Sequence, residues 1–367
     1  MTNPNQHTAA GGRQAAGVEL SVIIVNWKSC EFLRKCMASL FASAWEPSWE
    51  VVVIDNASYD GCGEMLAAEF PRARFLQSQE NLGFAGANNV AFNDSVGMYV
   101  LFLNPDTEVV GTAVQTMLSF LRATPDAGAV GVRLLNTDLT LQTSCIRRFP
   151  TILNQALDFD VLRRAFPRAS LWGMRPLFAG DNVVAAVQAI SGACLMVTRE
   201  AFDQVGQFDT RYFMYSEDVD LCYKLQAAGR RNYYMGAATV IHHGGKSTDN
   251  QETGFSAVVM RESRWQFLRQ TRGAGYAAAY RMSVGLVAVA RLSLLAAFFG
   301  ATLGAFRRAS LRAALLRWHK ILRWSLGLEG WVGKLQHSSG PSVPGKSVAR
   351  ASGPSPEAAA SSMTAQR

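Results

Sequence analysis

The chain reads as an α/β fold with a mainly parallel central sheet, extended at the C-terminus by helices. Continuous β-branched runs, Leu20 to Asn26 and Glu50 to Asp55, have the pattern of strands buried on both faces. Segments with helical spacing separate them, which is the alternation that builds parallel sheets. At 367 residues, 49% of them hydrophobic, the chain is long enough for one large core with added segments.

In chain order, residues 1–18 are small and polar and are expected to be disordered. The strand Leu20 to Asn26 leads into a helix over Glu31 to Phe41 and a second strand over Glu50 to Asp55. A short strand near Ala73 to Gln77, a helix over Ala85 to Ser95 and a strand over Met98 to Asn104 follow. Thr112 to Ala123 reads as helix and Gly128 to Leu134 as strand, whereas Asn136 to Val184 has no steady period and reads as an insertion on the acceptor side. Pattern returns with a strand over Ala189 to Thr198, helices over Arg199 to Val205 and Asp218 to Ala228, and a last strand over Arg231 to Ile241. These bound a domain of residues 19–254. Residues 255–335 are helical, basic and apolar, and residues 336–367 form a Ser-, Pro-, Gly- and Ala-rich tail expected to be disordered.

The net charge of +8 is not spread evenly. Arg261 to Lys334 holds 13 basic residues against Glu262 and Glu329, so the rest of the chain is slightly acidic. Because that basic stretch is also the most apolar, it points to a membrane surface and away from nucleic acid. The six cysteines show no metal-ligand or CxxC spacing and are expected as buried thiols. With no charged and apolar leader pattern over residues 1–17, the catalytic part is expected at the cytoplasmic face.

Ligands of open α/β sheets bind beyond the carboxyl ends of the strands. Here those positions carry Asn26-Trp27-Lys28, Asp55-Asn56-Ala57-Ser58, Asn104-Pro105-Asp106 and His242-His243. One such turn is ordinary, but four at corresponding strand ends suit a nucleotide-sugar site. Asp55 can accept a hydrogen bond from a pyrimidine imide, and Gly83 with Gly86 lets the backbone around Asn81 and Phe84 approach a ligand. Asp106 suits magnesium or manganese, and His242 as a second ligand favours manganese. In the acidic run Glu217-Asp218-Val219-Asp220, a carboxylate can cap a helix or take the proton from an acceptor hydroxyl.

These residues resemble the family 2 glycosyltransferases of GT-A fold, in their rhamnosyltransferase-like branch. The resemblance covers Leu20 to Thr248 and rests on ordered blocks: SVIIVNWKS, VVVIDNAS, NLGFAGANN, LFLNPDTEV, and SGACLMVTREAFDQVGQFDTRYFMYSEDVDLCYKLQAAG followed by IHHGGKS. It implies that Asp55 recognises the base, with Asn26, Asn56, Asn81, Gly83, Phe84 and Asn104 completing the donor pocket. Asp106 matches the last acid of the family's DxD motif, Asn104 standing where the first acid would be. His242, in a block continued by Gly245 and Ser247, resembles the second metal ligand, with His243 as the fallback. Asp218 resembles the catalytic base, with Glu217 its nearest rival, and Ser191, Gly192 and Ala193 resemble the acceptor-side turn. Cys194 in that turn reads as packing. The implied reaction is an inverting, divalent-metal-dependent transfer, rhamnose first, from a nucleotide diphosphate to a hydroxyl of a glycan or polyprenyl-linked acceptor.

From Met282 to Phe306 the only charge is Arg291, and the run is long enough to span a bilayer core of about 30 Å. An arginine at mid-span costs roughly 2.5–3.5 kcal/mol, so peripheral or partly embedded attachment is expected. Leu311, Leu315, Trp318 and Leu322 fall on one helical face, beside a basic face of Arg308, Arg312, His319 and Arg323. Packing on the catalytic domain or an oligomer contact is the competing reading. A processive synthase would carry QxxRW, but Arg261-Glu262-Ser263-Arg264-Trp265 lacks the glutamine. A non-catalytic nucleotide-sugar-binding scaffold is the remaining alternative.

Overall fold

The computed structural model describes residues 17–43, 48–244, 254–301, 308–333 and 349–350. The expectations for residues 1–16, and for Gly245 and Ser247, lie outside the described residues.

The first half alternates as expected: β1 (Leu20–Asn26), α1 (Cys30–Ala42), β2 (Trp49–Asp55), α2 (Cys62–Glu69), β3 (Arg74–Gln77), α3 (Gly83–Asp94) and β4 (Tyr99–Leu103). Next come β5 (Thr107–Val110), α4 (Ala113–Ala123) and β6 (Ala127–Leu135). The aperiodic stretch holds β7 (Ile146–Arg147), α5 (Ile152–Ala156) and α6 (Asp160–Ala165), and its end runs into β8 (Val184–Val187). Then follow β9 (Ala189–Ile190), β10 (Cys194–Thr198), α7 (Arg199–Gln204), α8 (Glu217–Ala227) and β11 (Arg231–His242). The last elements are α9 (Phe255–Arg272), α10 (Ala274–Ala301), α11 (Arg308–Ser325) and β12 (Ala349–Arg350).

The main sheet runs β12-β3-β2-β1-β4-β10-β6-β11-β5, with β8 beside β11. β3, β2, β1 and β4 are mutually parallel, as β6 and β11 are. β10 lies antiparallel between β4 and β6, and β5 and β8 pair antiparallel with β11. The run expected as one strand, Ala189 to Thr198, is broken at residues 191–193: β9 pairs with β7 in a separate two-stranded sheet, whereas β10 enters the main one. The sign of the break is Ser191-Gly192, a turn-favouring pair between two buried apolar pieces. Within the tail expected to be disordered, Ala349 and Arg350 pair antiparallel with β3, an edge whose backbone groups are open to any extended segment.

The core is one cluster filled from both faces of the sheet, with Ile23, Ile24, Val52, Val53, Leu101 and Phe102 at its centre. Val258, Phe267 and Leu268 of α9, Ala277 and Tyr280 of α10 and Trp324 of α11 belong to the same cluster, so all three helices reach the core of the catalytic domain. Most of α10 is nevertheless uncovered. Among the described residues, Ala274–Ala297 is the one stretch long and apolar enough to cross a membrane, and only 11% of its apolar window is buried. Its Met282, Leu286 and Leu294 are exposed. On α11, Trp324 and Ile321 face inward and Trp318 lies under Arg261 and Arg291, so Trp318 does not sit on a free outer face as its helical spacing suggested. Five of the six cysteines are buried and all are free.

Candidate active site

The polar residues at the strand ends converge along one edge of the sheet. Of the non-glycine residues with left-handed backbone, Lys28, Ala57, Tyr59, Tyr215 and Ser216 lie in the loops of this edge. Strain of this kind persists only where surrounding contacts enforce it, and it concentrates at sites that must hold a fixed geometry.

At the donor end, five protein donors reach the buried Asp55 carboxylate. Oδ1 accepts from Asn26 Nδ2 (2.9 Å) and from the Ser58 hydroxyl. Oδ2 accepts from the Ser58 N–H (3.0 Å), the Tyr59 N–H (2.9 Å) and Gln77 Nε2 (2.8 Å). Burial alone would raise this carboxyl, but the bonds from Ser58, Gln77, Tyr59 and Asn26 outweigh it and hold the group below the usual carboxylate range. A carboxylate offers about four lone-pair positions, so a nucleobase reaching Asp55 must displace one of these partners. What Asp55 does in this structure is shape the loop that follows β2. The buried Asn26 Oδ1 has no hydrogen-bond partner among the described residues.

Asn56 ties that loop to the next. Its Nδ2 donates to Asn81 Oδ1 (2.9 Å), and its Oδ1 accepts from the Leu82 N–H (2.8 Å). Asn81 Oδ1 in turn accepts from the Gly83 N–H (3.0 Å). Gly83 has a φ of 70°, and a Cβ there would sit 2.4 Å from the Phe213 carbonyl oxygen. Only glycine allows this approach. It lets the Phe84 N–H donate to that carbonyl at 3.0 Å, joining the donor loop to the segment that leads into α8.

Asp106 and His242 come together as the sequence suggested, with His242 Nε2 3.3 Å from Asp106 Oδ1. Both are largely buried. His242 Nδ1 lies 2.8 Å from Gln142 Oε1; since an amide oxygen only accepts, Nδ1 donates to it, and Nε2 is the nitrogen turned towards Asp106. Nε2 also lies 3.3 Å from Asn104 Nδ2. An imidazole nitrogen and a carboxylate oxygen facing each other, with the second ring nitrogen fixed by a carbonyl, is a donor set that fits a divalent cation. His243 is not available as a substitute: Nε2 is 2.7 Å from Glu108 Oε1 and Nδ1 2.9 Å from Thr137 Oγ1.

A second acidic group, Asp55, Asp60 and Cys62, also has its ligand atoms clustered. The Asn26 amide fills it, donating to Asp55 at 2.9 Å and to Asp60 at 3.0 Å. Burial, reinforced by both carboxylates, drives the Cys62 thiol strongly towards its protonated form. A site already occupied by an N–H donor and a protonated thiol is a poor cation site.

Asp218 lies in the first turn of α8, behind the left-handed pair Tyr215 and Ser216. Its Oδ2 accepts from Arg147 Nη2 (2.7 Å) and from the Gly192 N–H (3.0 Å), and its Oδ1 accepts from the Val219 N–H (2.8 Å). Oδ1 thus keeps a lone-pair position for a proton. Glu217 is held differently. Burial first, then the neighbouring Asp218 charge, raises its carboxyl, and its Oε2 has no hydrogen-bond partner among the described residues. Asp220 faces Lys224 at 3.1 Å and Tyr212, so it braces the helix from within. Burial keeps the Cys194 thiol protonated and inert.

Ser191, Gly192 and Ala193 stand between the two poles. The Ala193 carbonyl accepts from the Asn104 N–H at 2.9 Å, and the Gly192 N–H reaches Asp218. A Cβ at Gly192 would meet Asp218 Cβ at 3.4 Å and the Phe84 ring at 3.6 Å. The loop carrying Phe84, the Asn104–His242 pair and the Asp218 carboxylate thus meet at this turn. Arg147 and Gln142, which orient Asp218 and His242, both lie within the insertion, where no period or motif marks them.

A sheet of this order, with a nucleotide-type loop, a His–Asp pole and a buried carboxylate along one edge, defines a nucleotide-sugar transferase of GT-A type. The signature of glycosyl transferase family 2 matches residues 21–205, and that of glycosyl transferase family group 2 matches residues 168–329. The chain belongs to glycosyl transferase family 2. It is 32% identical over 243 residues to N-acetylglucosaminyl-diphospho-decaprenol L-rhamnosyltransferase of Mycobacterium tuberculosis, covering 62% of this chain and 77% of that protein. It is 25% identical to rhamnosyltransferase WbbL of Escherichia coli, covering 60% of this chain and 82% of WbbL. The structure of a Pyrobaculum calidifontis mannosyltransferase, solved with GDP-Man and Mn2+, superposes with a TM-score of 0.53 over 86% of this chain and 88% of that one, at 17% identity. That likeness bears on the fold alone. The chain is a glycosyltransferase of rhamnosyltransferase-like type, a nucleotide-sugar enzyme of cell-wall or polysaccharide synthesis.

Proposed function

We propose that the enzyme transfers a sugar, rhamnose in the first instance, with inversion and with help from a divalent cation, to a hydroxyl of a lipid-linked acceptor at the cytoplasmic face of the membrane. One observation carries this reading: His242, Asn104, the 191–193 turn and Asp218 form a continuous bonded path. A leaving-group pole and a base pole are thereby held in fixed relation.

Asp218 Oδ1 takes the acceptor hydroxyl's proton as its oxygen bonds the anomeric carbon, while the bond to the nucleoside diphosphate breaks and its electrons leave with the diphosphate. Arg147 and the Gly192 N–H fix the carboxylate from its far oxygen, so Oδ1 is presented in a single orientation. With one carboxylate acting as base and none as nucleophile, displacement is direct and the sugar inverts. Asp106 and His242 would hold the cation, manganese or magnesium, which when bound offsets the charge developing on the leaving diphosphate. The loop pinned by Asn56 and Gly83 binds the nucleotide end. The M. tuberculosis relative's name specifies a diphospho-decaprenol acceptor and rhamnosyl transfer, and the exposed apolar face of α10 beside a basic segment supports attachment to the membrane surface.

The test is a panel of nucleotide sugars, thymidine-diphosphate rhamnose and uridine-diphosphate sugars among them, offered with a polyprenyl-linked acceptor in manganese, magnesium or chelator. We expect metal-dependent transfer from one donor, and NMR of the product showing the anomeric configuration opposite to the donor's. Retained configuration, or full turnover in chelator, would overturn the mechanism.

A further inference from the structure

A sizeable cavity lies away from the sheet edge, between α6, α10 and α11. It has a volume of about 770 Å3 and is walled by Phe159, Leu162, Leu294, Leu295, Ala314 and Trp318. A smaller recess of about 50 Å3, lined by Gln155, Asp158, Arg261, Arg264 and Tyr280, adjoins it and shares Phe159, Val287 and Trp318 with it. By the roughly 10–15 Å3 that one water requires, the recess admits a few waters or one phosphoryl group.

Its charge is one-sided. Asp158 is the acid in the lining, and Arg163 already pairs with it at 3.3 Å. Among the described residues no carboxylate forms an ion pair with Arg261, Arg264, Arg291 or Arg317. Arg261 donates to the Ala257 carbonyl at 2.9 Å and lies over the Trp318 ring; Arg291 stacks at 4.3 Å on Phe159 and 5.3 Å on Trp318. Burial pushes Arg261 down to about 10 and lowers Arg264 as well. Desolvating several cations together is costly unless an anion enters with them.

The recess is linked to the base through charge: Arg147, which donates to Asp218, is near enough to Arg264 to bear on its ionisation. The Phe149 ring contacts Tyr223 of α8 and Phe267 of α9.

We propose that this pair of cavities is the binding site for the lipid diphosphate of the acceptor, the apolar chain lying in the groove and one phosphoryl group of the diphosphate entering the recess against Arg261 and Arg264. The assignment rests on the lipid-linked reading of the acceptor above. Charge complementarity selects the head group and the apolar walls select the chain. Arg147, standing between Arg264 and Asp218, sets the first sugar after the diphosphate towards the base. A soluble glycan would use neither feature.

The test is equilibrium binding of farnesyl diphosphate to the full chain in mild detergent, read by tryptophan fluorescence, beside inorganic diphosphate, farnesol and anionic vesicles. Farnesyl diphosphate is expected to bind at least about 10-fold more tightly than inorganic diphosphate or farnesol. Arg264→Gln should weaken it about 10- to 100-fold, the loss typical of a charge-assisted contact. Because a buried arginine can matter for folding, Ala290→Trp is the second variant: Ala290 is on the exposed wall of the groove, and the indole should block the chain while leaving inorganic diphosphate binding as it is. Equal affinity for inorganic and farnesyl diphosphate, binding to vesicles alone, or no change in either variant would overturn the proposal. Donor turnover by the same wild-type preparation keeps the two readings apart: turnover without prenyl-diphosphate binding removes the lipid site and leaves the transferase mechanism standing.

Discussion

Two adjacent acids, Glu217 and Asp218, begin the same helix, yet their surroundings set them apart. Asp218 has Arg147 and a backbone N–H on one oxygen, whereas Glu217 has burial and a neighbouring negative charge. The site therefore favours Asp218 as base, and Glu217→Gln should keep transfer within about 10-fold of wild type, a proton-sharing side chain being replaced by its neutral isostere. The same substitution gives a stability prediction. Glu217's folded value lies above its ordinary 4.5, so the native state holds a proton that the unfolded chain has released. Its contribution is complete below about pH 4.5 and is lost as pH rises through the raised folded value. Melting temperatures of Glu217→Gln should accordingly rise relative to wild type between pH 5 and the alkaline side; parallel curves would show that Glu217 ionises freely.

The convergence at strand ends was legible because position combines with chemistry: an acid, amide or imidazole just past a strand reads as a site residue whatever the sequence around it. Asp106 meeting His242 came from that rule and from the resemblance, whereas the bond from the Gly192 N–H to Asp218 was not foreseen. Arg147 and Gln142 were not legible. Each acts through one contact to a residue far along the chain, Arg147 to Asp218 and Gln142 to His242, and neither spacing nor residue type records such a contact. Asp55 shows the opposite case: its residue type promised a base contact, but partners distant in sequence, Asn26 and Gln77, share its lone pairs.

At the scale of elements, long buried strands and helices followed directly from their periods, while short or paired ones did not. α2 is eight residues long and β5 four, below the length at which a period declares itself. β10 runs antiparallel in a sheet whose sequence reads as parallel, because pairing direction depends on the path of the intervening chain. The donor loop is the element where backbone conformation matters most. Gly83→Ala would force a side chain against the Phe213 carbonyl at a left-handed φ. We expect a loss of about 1–3 kcal/mol in stability and a raised KM for the donor. Calorimetric melting and donor kinetics check both; unchanged values would show that the loop yields.

Taken whole, the molecule is a mixed-sheet catalytic domain carrying a basic, apolar helical face. All three helices reach the core, through Phe267 of α9, Tyr280 of α10 and Trp324 of α11, while α10 and α11 also present Met282, Leu286, Leu294 and Leu316 outward. Composition located the face but not which helices it uses, since core and interfacial helices share a composition and differ only in what covers them. Flotation with vesicles should show binding that requires anionic lipid and weakens with salt; binding to neutral vesicles that salt does not touch would instead favour insertion of α10.

The account stands or falls on two poles acting in one reaction, and the most direct measurement is single-turnover transfer from the active donor by wild type, Asp218→Asn and Asp106→Ala over a manganese titration. Asp218→Asn should lose about 10²- to 10⁴-fold in rate at saturating metal, and Asp106→Ala should need far more manganese for whatever rate remains. Near-wild-type turnover in Asp218→Asn, or an unchanged metal requirement in Asp106→Ala, would contradict it.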